Sequence, residues 1–180
     1  MIGGAQESWI VRESSQACTC WNALAQQVMM MELDRRRGDE PEPLMNLDTW
    51  SAYAVPRRRL LDRIKGLGNV VVLTGDEHQN YAGQVLDRGR PVAVEFVGTS
   101  ISSGGDGEDL RPGSDRILAR NPHVAFVNDQ RGYLTCDISR DEWRTNFMVV
   151  DQVRRPGGKA SRRATYAVAR GETTLRRVDA

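Results

Sequence analysis

A short aliphatic run at residues 69–74 (NVVVLT) constrains the fold of this 180-residue chain more than any other feature. Between Asn69 and Thr74, three consecutive valines and a leucine leave no polar side chain that could face water. Such a run predicts a central strand that is buried on both faces, with a neighbouring strand on each side and cover above and below. We therefore expect an α/β fold with mixed sheets, of the α+β kind.

Breaker residues and hydrophobic spacing predict the other elements. Helices are predicted at residues 6–16 and 50–65, the second capped by Asp48 and interrupted by Pro56. Strands are predicted at 21–28, 91–97, 124–127, 132–138 and 145–150, with a turn at 87–90 and loops at 35–43 and 102–113. Residues 165–178 predict a terminal hairpin that turns at Arg170 and Gly171. We divide the chain into a main unit at 1–153 and a basic hairpin or tail at 154–180.

The charge of the chain is nearly balanced but unevenly placed. With 25 basic and 24 acidic residues, the net charge of +1 creates no field over the whole chain that would attract nucleic acid or an anionic membrane. Residues 151–180 hold eight basic and three acidic residues, so this part carries +5 and the rest carries −4. A small nucleic-acid-binding module that uses the basic tail therefore stays open as an alternative, and its binding would weaken steeply with salt.

No apolar run approaches the roughly 20 residues that a membrane-spanning helix needs. The first ten residues, MIGGAQESWI, lack the basic, apolar and small-residue regions of a secretory signal. As written, the chain is predicted to have no membrane span and to stay in the cytoplasm.

Asp76 and His78 follow the aliphatic run at its carboxyl end, where open α/β sheets place ligands. In an extended segment, residues two apart face the same side, so the carboxylate and the imidazole can converge on one metal ion. Two ligands fill only part of the coordination sphere of Ca²⁺ or catalytic zinc. The alternative is that Asp76 caps a turn and His78 is a hydrogen-bonded surface residue.

His123 precedes a predicted strand and is a candidate ligand or proton donor, with a purely structural role as the alternative. The glycine-rich residues 102–107 lack the Gly-Lys-Ser/Thr ending of a phosphate-cradling loop, so they predict a flexible loop.

Four strings resemble the PhoD-like alkaline phosphatases: WNALAQQVMM at 21–30, VVLTGDEH at 71–78, VEFVGTSISS at 94–103 and NPHVAFVNDQRGY at 121–133. The resemblance implies the C-terminal half of a metallophosphatase-like α/β/β/α sandwich. It also implies hydrolysis of phosphate mono- and diesters with bound metals, typically iron and calcium. By this resemblance Asp76 and His78 are metal ligands, His123 protonates the leaving oxygen or orients phosphate, and Arg131 pairs with a phosphate oxygen in fork geometry.

The sequence also departs from the family's pattern. The family's Asp-x-Trp-Asp-Gly-Tyr stretch is present as DTWSAY at residues 48–53, without the Asp-Gly pair. The early metal ligands and the bridging carboxylate are not in this sequence, so we expect the missing N-terminal half of the domain as a partner. Met1 is then expected to be an internal methionine. The resemblance implies an exported, periplasmic or extracellular parent protein. A truncated remnant that holds no metal is the alternative.

Overall fold

The structure, a computed structural model, describes residues 2–16 and 18–178. Met1, the predicted internal methionine, lies outside the described residues. The helices are α1 (Gly4–Gln16), α2 (Ala54–Ile64) and α3 (Ser114–Arg120), and a 3₁₀ turn at Trp50–Ala52 precedes α2. The strands are β1 (Asn22–Ala25), β2 (Val70–Thr74), β3 (Asn80–Asp87), β4 (Arg90–Val97), β5 (Val124–Asn128), β6 (Gly132–Ile138), β7 (Glu142–Val150), β8 (Ala160–Ala169) and β9 (Arg176–Arg177).

The first sheet has the strand order β1-β2-β4-β3-β5. β2 is parallel to both of its neighbours, β1 and β4, whereas β3 is antiparallel to β4 and β5. Val70, Val71 and Val72 are at most 4% exposed, because α2 covers one face of β2 and the second sheet covers the other. The prediction of a mixed α/β fold around a central buried strand is confirmed.

The second sheet, β6-β7-β8-β9, is antiparallel and packs against the first through a cluster of aromatic rings. The rings of Phe126 and Phe147 lie 4.8 Å apart between centroids, and those of Phe126 and Tyr166 lie 5.6 Å apart. Buried aromatic pairs of this kind add to the stabilisation that burial of their area provides. The cluster therefore holds the two sheets together as one core.

The basic tail contributes two strands, β8 and β9, to the second sheet. β8 pairs with β7 along its whole length, from Ala160 opposite Val150 to Ala169 opposite Glu142. The strand therefore begins at residue 160, five residues before the predicted hairpin at 165–178. The predicted turn at Arg170 and Gly171 lies between β8 and β9. Throughout the part of the chain that the structure describes, no helix is long and apolar enough to span a membrane.

The start of the second predicted helix differs from the expectation. Thr49, and not Asp48, accepts the capping hydrogen bond from the backbone N–H of Ser51. The helix is in two pieces, as the proline predicts, but they separate at Tyr53. Pro56 lies in the first turn of α2, where a missing backbone N–H removes no intrahelical hydrogen bond.

The sequence did not predict β3 and α3. β3 contains a close approach at Gly83, where an added Cβ would lie 2.9 Å from the carbonyl oxygen of His123. The predicted turn at 87–90 could have indicated a strand before it, because such turns join the two strands of a β-hairpin. In the structure Arg88 and Gly89 both have positive φ, as in a two-residue hairpin turn. α3 has only seven residues, too few for a helical period to stand out.

Candidate active site

The segment after β2 turns sharply. The backbone N–H of Glu77 donates to the carbonyl oxygen of Gly75 at 2.8 Å, and Asp76 and His78 have φ of +69° and +53°. The premise of an extended segment is therefore wrong. Asp76 and His78 are nevertheless both exposed at the carboxyl end of β2. Left-handed backbone is uncommon outside glycine, and it clusters at functional sites, where the surrounding structure holds it.

Glu77, between the two exposed residues, holds the turn in place through its buried side chain. Its side chain is only 6% exposed, and it forms an ion pair with Arg35 at 2.6 Å. The side-chain amide of Asn46 donates to its other carboxylate oxygen at 3.3 Å. Because Glu77 faces the loop at residues 35–46, Asp76 and His78 are presented outward.

Glu95, in the middle of β4, supports the same turn from inside the core. Its carboxylate is 0% exposed and accepts hydrogen bonds from the backbone N–H groups of Met30 and Met31 at 2.8 and 2.6 Å. It also accepts the hydroxyl of Thr74 at 2.9 Å, and Thr74 is the last residue of β2, two before Asp76. Burial raises the pKa of Glu95 to about 7, against the lowering effect of these hydrogen bonds. The available signal was a glutamate inside the otherwise apolar string VAVEFV.

Two asparagines join the neighbouring strand ends. Asn80, the first residue of β3, donates to the side-chain oxygen of Asn128 at 3.0 Å, and Asn128 is the last residue of β5. The side-chain oxygen of Asn80 accepts the backbone N–H of Thr99, just beyond β4, at 3.1 Å. The edge of the sheet beside the Asp76 turn is therefore fixed by buried hydrogen bonds, which holds the exposed side chains in place.

Arg131 lies beneath the glycine-rich loop and is only 2% exposed. Its guanidinium donates to the Ser100 hydroxyl at 3.0 Å, to the Ser103 carbonyl at 2.7 Å and to Asp129. An added Cβ at Gly104 would lie 3.2 Å from this guanidinium. The two terminal nitrogens of Arg131 thus already donate hydrogen bonds within the chain. This geometry favours a role for Arg131 in anchoring the loop over a direct contact with phosphate.

His123 lies at the other end of the sheet from His78. β3 and β5 run antiparallel with Asn80 opposite Asn128, and His123 lies five positions before Asn128, which is about 16 Å of strand. The Nε2 atom of His123 is 2.9 Å from the carbonyl oxygen of Glu32, which can only accept, so Nε2 carries the proton. Burial lowers the pKa of His123. The structure does not bring His123 together with Asp76 and His78.

The described residues contain no group of three or more His, Cys, Asp or Glu side chains that could hold a metal ion. Asp76 and His78 offer one carboxylate and one imidazole, which are ligand types that iron, zinc and, for the carboxylate, calcium accept. They fit a metal as part of a ligand set.

The basic tail is partly neutralised by acidic residues of the two sheets and their loops. Arg163 binds both carboxylate oxygens of Asp109, at 2.6 and 2.8 Å, and Arg176 binds Glu142 at 2.6 Å. Ion pairs of this kind reduce the positive charge that a nucleic acid would meet. The geometry therefore weakens the nucleic-acid alternative.

Comparison with known proteins places these features in a family. The model of the PhoD-like phosphatase family matches residues 1–147. Alkaline phosphatase D of Bacillus subtilis (strain 168) is 37% identical over 185 residues, which cover 99% of this chain and 31% of that protein. A solved structure of PhoD matches with a TM-score of 0.91 and 36% identity, over 98% of this chain and 35% of that one. The chain thus spans about a third of the length of both proteins. It belongs to the PhoD-like phosphatase family.

Proposed function

We propose that this chain forms part of the active site of a metal-dependent phosphoesterase that hydrolyses phosphate mono- and diesters. One observation carries the proposal: Asp76 and His78 are both exposed on the carboxyl edge of the sheet, in a strained turn that Glu77 holds from below. An edge of this kind is where α/β proteins place their ligands. Family membership supports the reaction class.

Asp76 and His78 would hold the metal, and the family resemblance favours iron and calcium. When bound, such a metal polarises phosphoryl oxygens and lowers the pKa of water. Glu77 and Glu95 act as positioning residues, because they hold the turn and the end of β2 that precedes it. The same resemblance supports an exported parent protein, and fractionation of the source cells would test this.

The metal role is best tested in a chimera, in which this chain replaces the matching third of Bacillus subtilis alkaline phosphatase D. We expect the chimera to hydrolyse a chromogenic phosphate monoester and diester, and a chelator to abolish the activity. Asp76→Asn should reduce metal content and should lower turnover by more than about 100-fold, since even removing residues that only support a ligand costs about 10- to 100-fold. Asp39→Asn, in an exposed loop, removes the same charge and should change neither.

Full metal content and turnover in the Asp76→Asn chimera would contradict the ligand assignment. A folded chimera without metal would instead favour the alternative of a non-catalytic remnant. The 180-residue chain alone should hydrolyse these esters very slowly, because it contributes only two ligands. Robust turnover of the chain alone that a chelator abolishes would show that other residues of this chain complete the site.

A further inference from the structure

A pocket lined by arginines opens beside the Asp76 turn. Its volume is about 200 Å³, and its floor is formed by the buried residues Gln79, Tyr81 and Val127. Four arginines line its walls: Arg35, Arg37, Arg111 and Arg116. None of the lining residues is acidic. We call this cavity the arginine pocket.

The positive charge around the arginine pocket exceeds the negative charge. Arg35 is paired with Glu77, and Asp129 is shared between Arg111 and the buried Arg131. Two carboxylates therefore face two of the four pocket guanidinium groups, and one of these carboxylates is shared with Arg131 outside the lining.

Arg37 and Arg116 form no ion pair within residues 2–16 and 18–178. The pocket consequently has two guanidinium groups left for an anion.

The floor of the pocket adds hydrogen-bond donors. Gln79 is 5% exposed, and its side-chain oxygen accepts the hydroxyl of Tyr81 at 2.7 Å. That bond leaves the two N–H groups of the Gln79 amide, for which the described part of the chain supplies no acceptor. The Nε atom of Arg35 is likewise buried, and no described residue accepts its N–H. The unsatisfied buried Nε–H of Arg35 and the free amide of Gln79, next to unpaired guanidinium groups, favour an oxyanion with several acceptor oxygens.

The arginine pocket is adjacent to the candidate active site. Gln79 directly follows His78 in the chain, and the pair of Arg35 with Glu77 forms a wall between the pocket and the Asp76 turn. At about 30 Å³ per water molecule, the volume holds roughly seven waters, enough room for a phosphate group. The guanidinium of Arg116 lies against the backbone of Gly113, where an added Cβ would be 2.7 Å away, so it is held close to the pocket wall.

We infer that the arginine pocket binds a phosphate-type oxyanion: a second phosphoryl group of the substrate, beyond the group that is hydrolysed. This substrate role rests on the proposed function, whereas the binding of an oxyanion does not. Guanidinium groups match phosphate oxygens in paired hydrogen bonds, and the pocket excludes negative side chains that would repel the ligand. The site would therefore favour esters that carry an additional phosphate over esters that carry only the phosphate to be hydrolysed.

Direct binding tests the oxyanion site without any catalysis. Pyrophosphate is titrated calorimetrically into the full 180-residue chain at low salt and without metal. We expect binding that weakens at least about tenfold in the Arg37→Gln/Arg116→Gln variant, since both unpaired guanidinium groups are lost. Arg58→Gln/Arg90→Gln removes the same charge at exposed positions elsewhere and should leave the affinity within about twofold.

Two further readouts locate the bound anion. The side-chain amide signals of Gln79 in the ¹H–¹⁵N spectrum should shift on addition of pyrophosphate, and Asp76→Asn should bind it as tightly as the unmodified chain. No binding, an equal loss in the Arg58→Gln/Arg90→Gln control, or unshifted Gln79 signals would overturn the inference. A loss in Asp76→Asn would overturn it as well, because the anion would then lie on the turn. Circular dichroism confirms that each variant is folded.

A kinetic measurement in the chimera then separates a substrate group from free phosphate. If the pocket holds a second phosphoryl group, Arg37→Gln/Arg116→Gln should raise KM for a substrate that carries one and should leave KM for a simple monoester unchanged. If only product inhibition by phosphate weakens, the oxyanion site stands but the substrate role is overturned. No change in any of these constants also overturns the substrate role. An inactive chimera would count against the proposed function and would leave the calorimetric result to decide the pocket.

Discussion

Replacing Glu95 by glutamine tests whether a buried carboxyl group makes the stability of this protein depend on pH. The carboxylate is fully buried and is bound by two backbone N–H groups and the hydroxyl of Thr74. The side chain of Glu95→Gln has nearly the same shape but carries no charge. The variant therefore removes the titration while keeping the packing.

The direction and size of the effect follow from the pKa of Glu95, which burial raises from an ordinary 4.5 to about 7. A carboxyl group with a raised pKa binds its proton more tightly in the folded state than in the unfolded state. Its contribution to the free energy of unfolding is complete below about pH 4.5 and is lost as the pH rises through about 7. At about 1.4 kcal/mol per pKa unit, the loss is about 3 kcal/mol.

The assay is urea unfolding, followed by tryptophan fluorescence, at several pH values between about 4.5 and 8. Glu95→Gln also loses a hydrogen bond, because its amide nitrogen cannot accept from a backbone N–H. That loss is the same at every pH, so the informative quantity is how the difference between the two proteins changes. We expect the unmodified chain to lose about 3 kcal/mol relative to Glu95→Gln over this range. Glu172→Gln, at an exposed position, is the matched control.

A constant difference between the Glu95→Gln and unmodified proteins across this range would refute the reasoning. It would mean that the hydrogen bonds from Met30, Met31 and Thr74 compensate for burial completely. A difference that changes in the opposite direction would mean that these bonds outweigh burial. Both results would require Glu95 to be charged in the folded protein below neutral pH.

Three further predictions concern packing, the glycine-rich loop and the histidine outside the turn. Phe147→Ala should lower the free energy of unfolding by about 3 to 5 kcal/mol in a urea titration, because this fully buried ring joins the two sheets. Gly107→Ala should increase proteolysis of the loop at 102–107, since its φ is +73° and an added Cβ would collide with a backbone oxygen; Gly171→Ala, with a φ of +88° but open space, should not. In the chimera, His123→Asn should keep metal content and should hold turnover within about tenfold, unlike Asp76→Asn, because its ring bonds a carbonyl at the far end of the sheet. A loss of metal in His123→Asn would contradict this placement.

The central strand, most of the other strands and the exposed pair at the end of β2 were predictable from the sequence alone. A run of valines has no face for water, so burial on both sides follows from the residues themselves. The breakers at 87–90 likewise specify a hairpin turn locally. The position of Asp76 and His78 after the buried strand was sufficient to select them as candidates, whatever the path of the intervening backbone.

Only the tertiary structure decided which side chains meet. The antiparallel register of β3 and β5 separates His123 from His78. The loop that covers Arg131 accepts hydrogen bonds from its guanidinium. Glu95 becomes a support of the turn because the segment at residues 29–31 passes over β4 and donates two backbone N–H groups to it. The arginine pocket combines residues from the segment at 35–37 with others from 111–116, which are far apart in sequence. Contacts of this kind depend on strand register and on loop paths between distant segments, and no local pattern of residues specifies either.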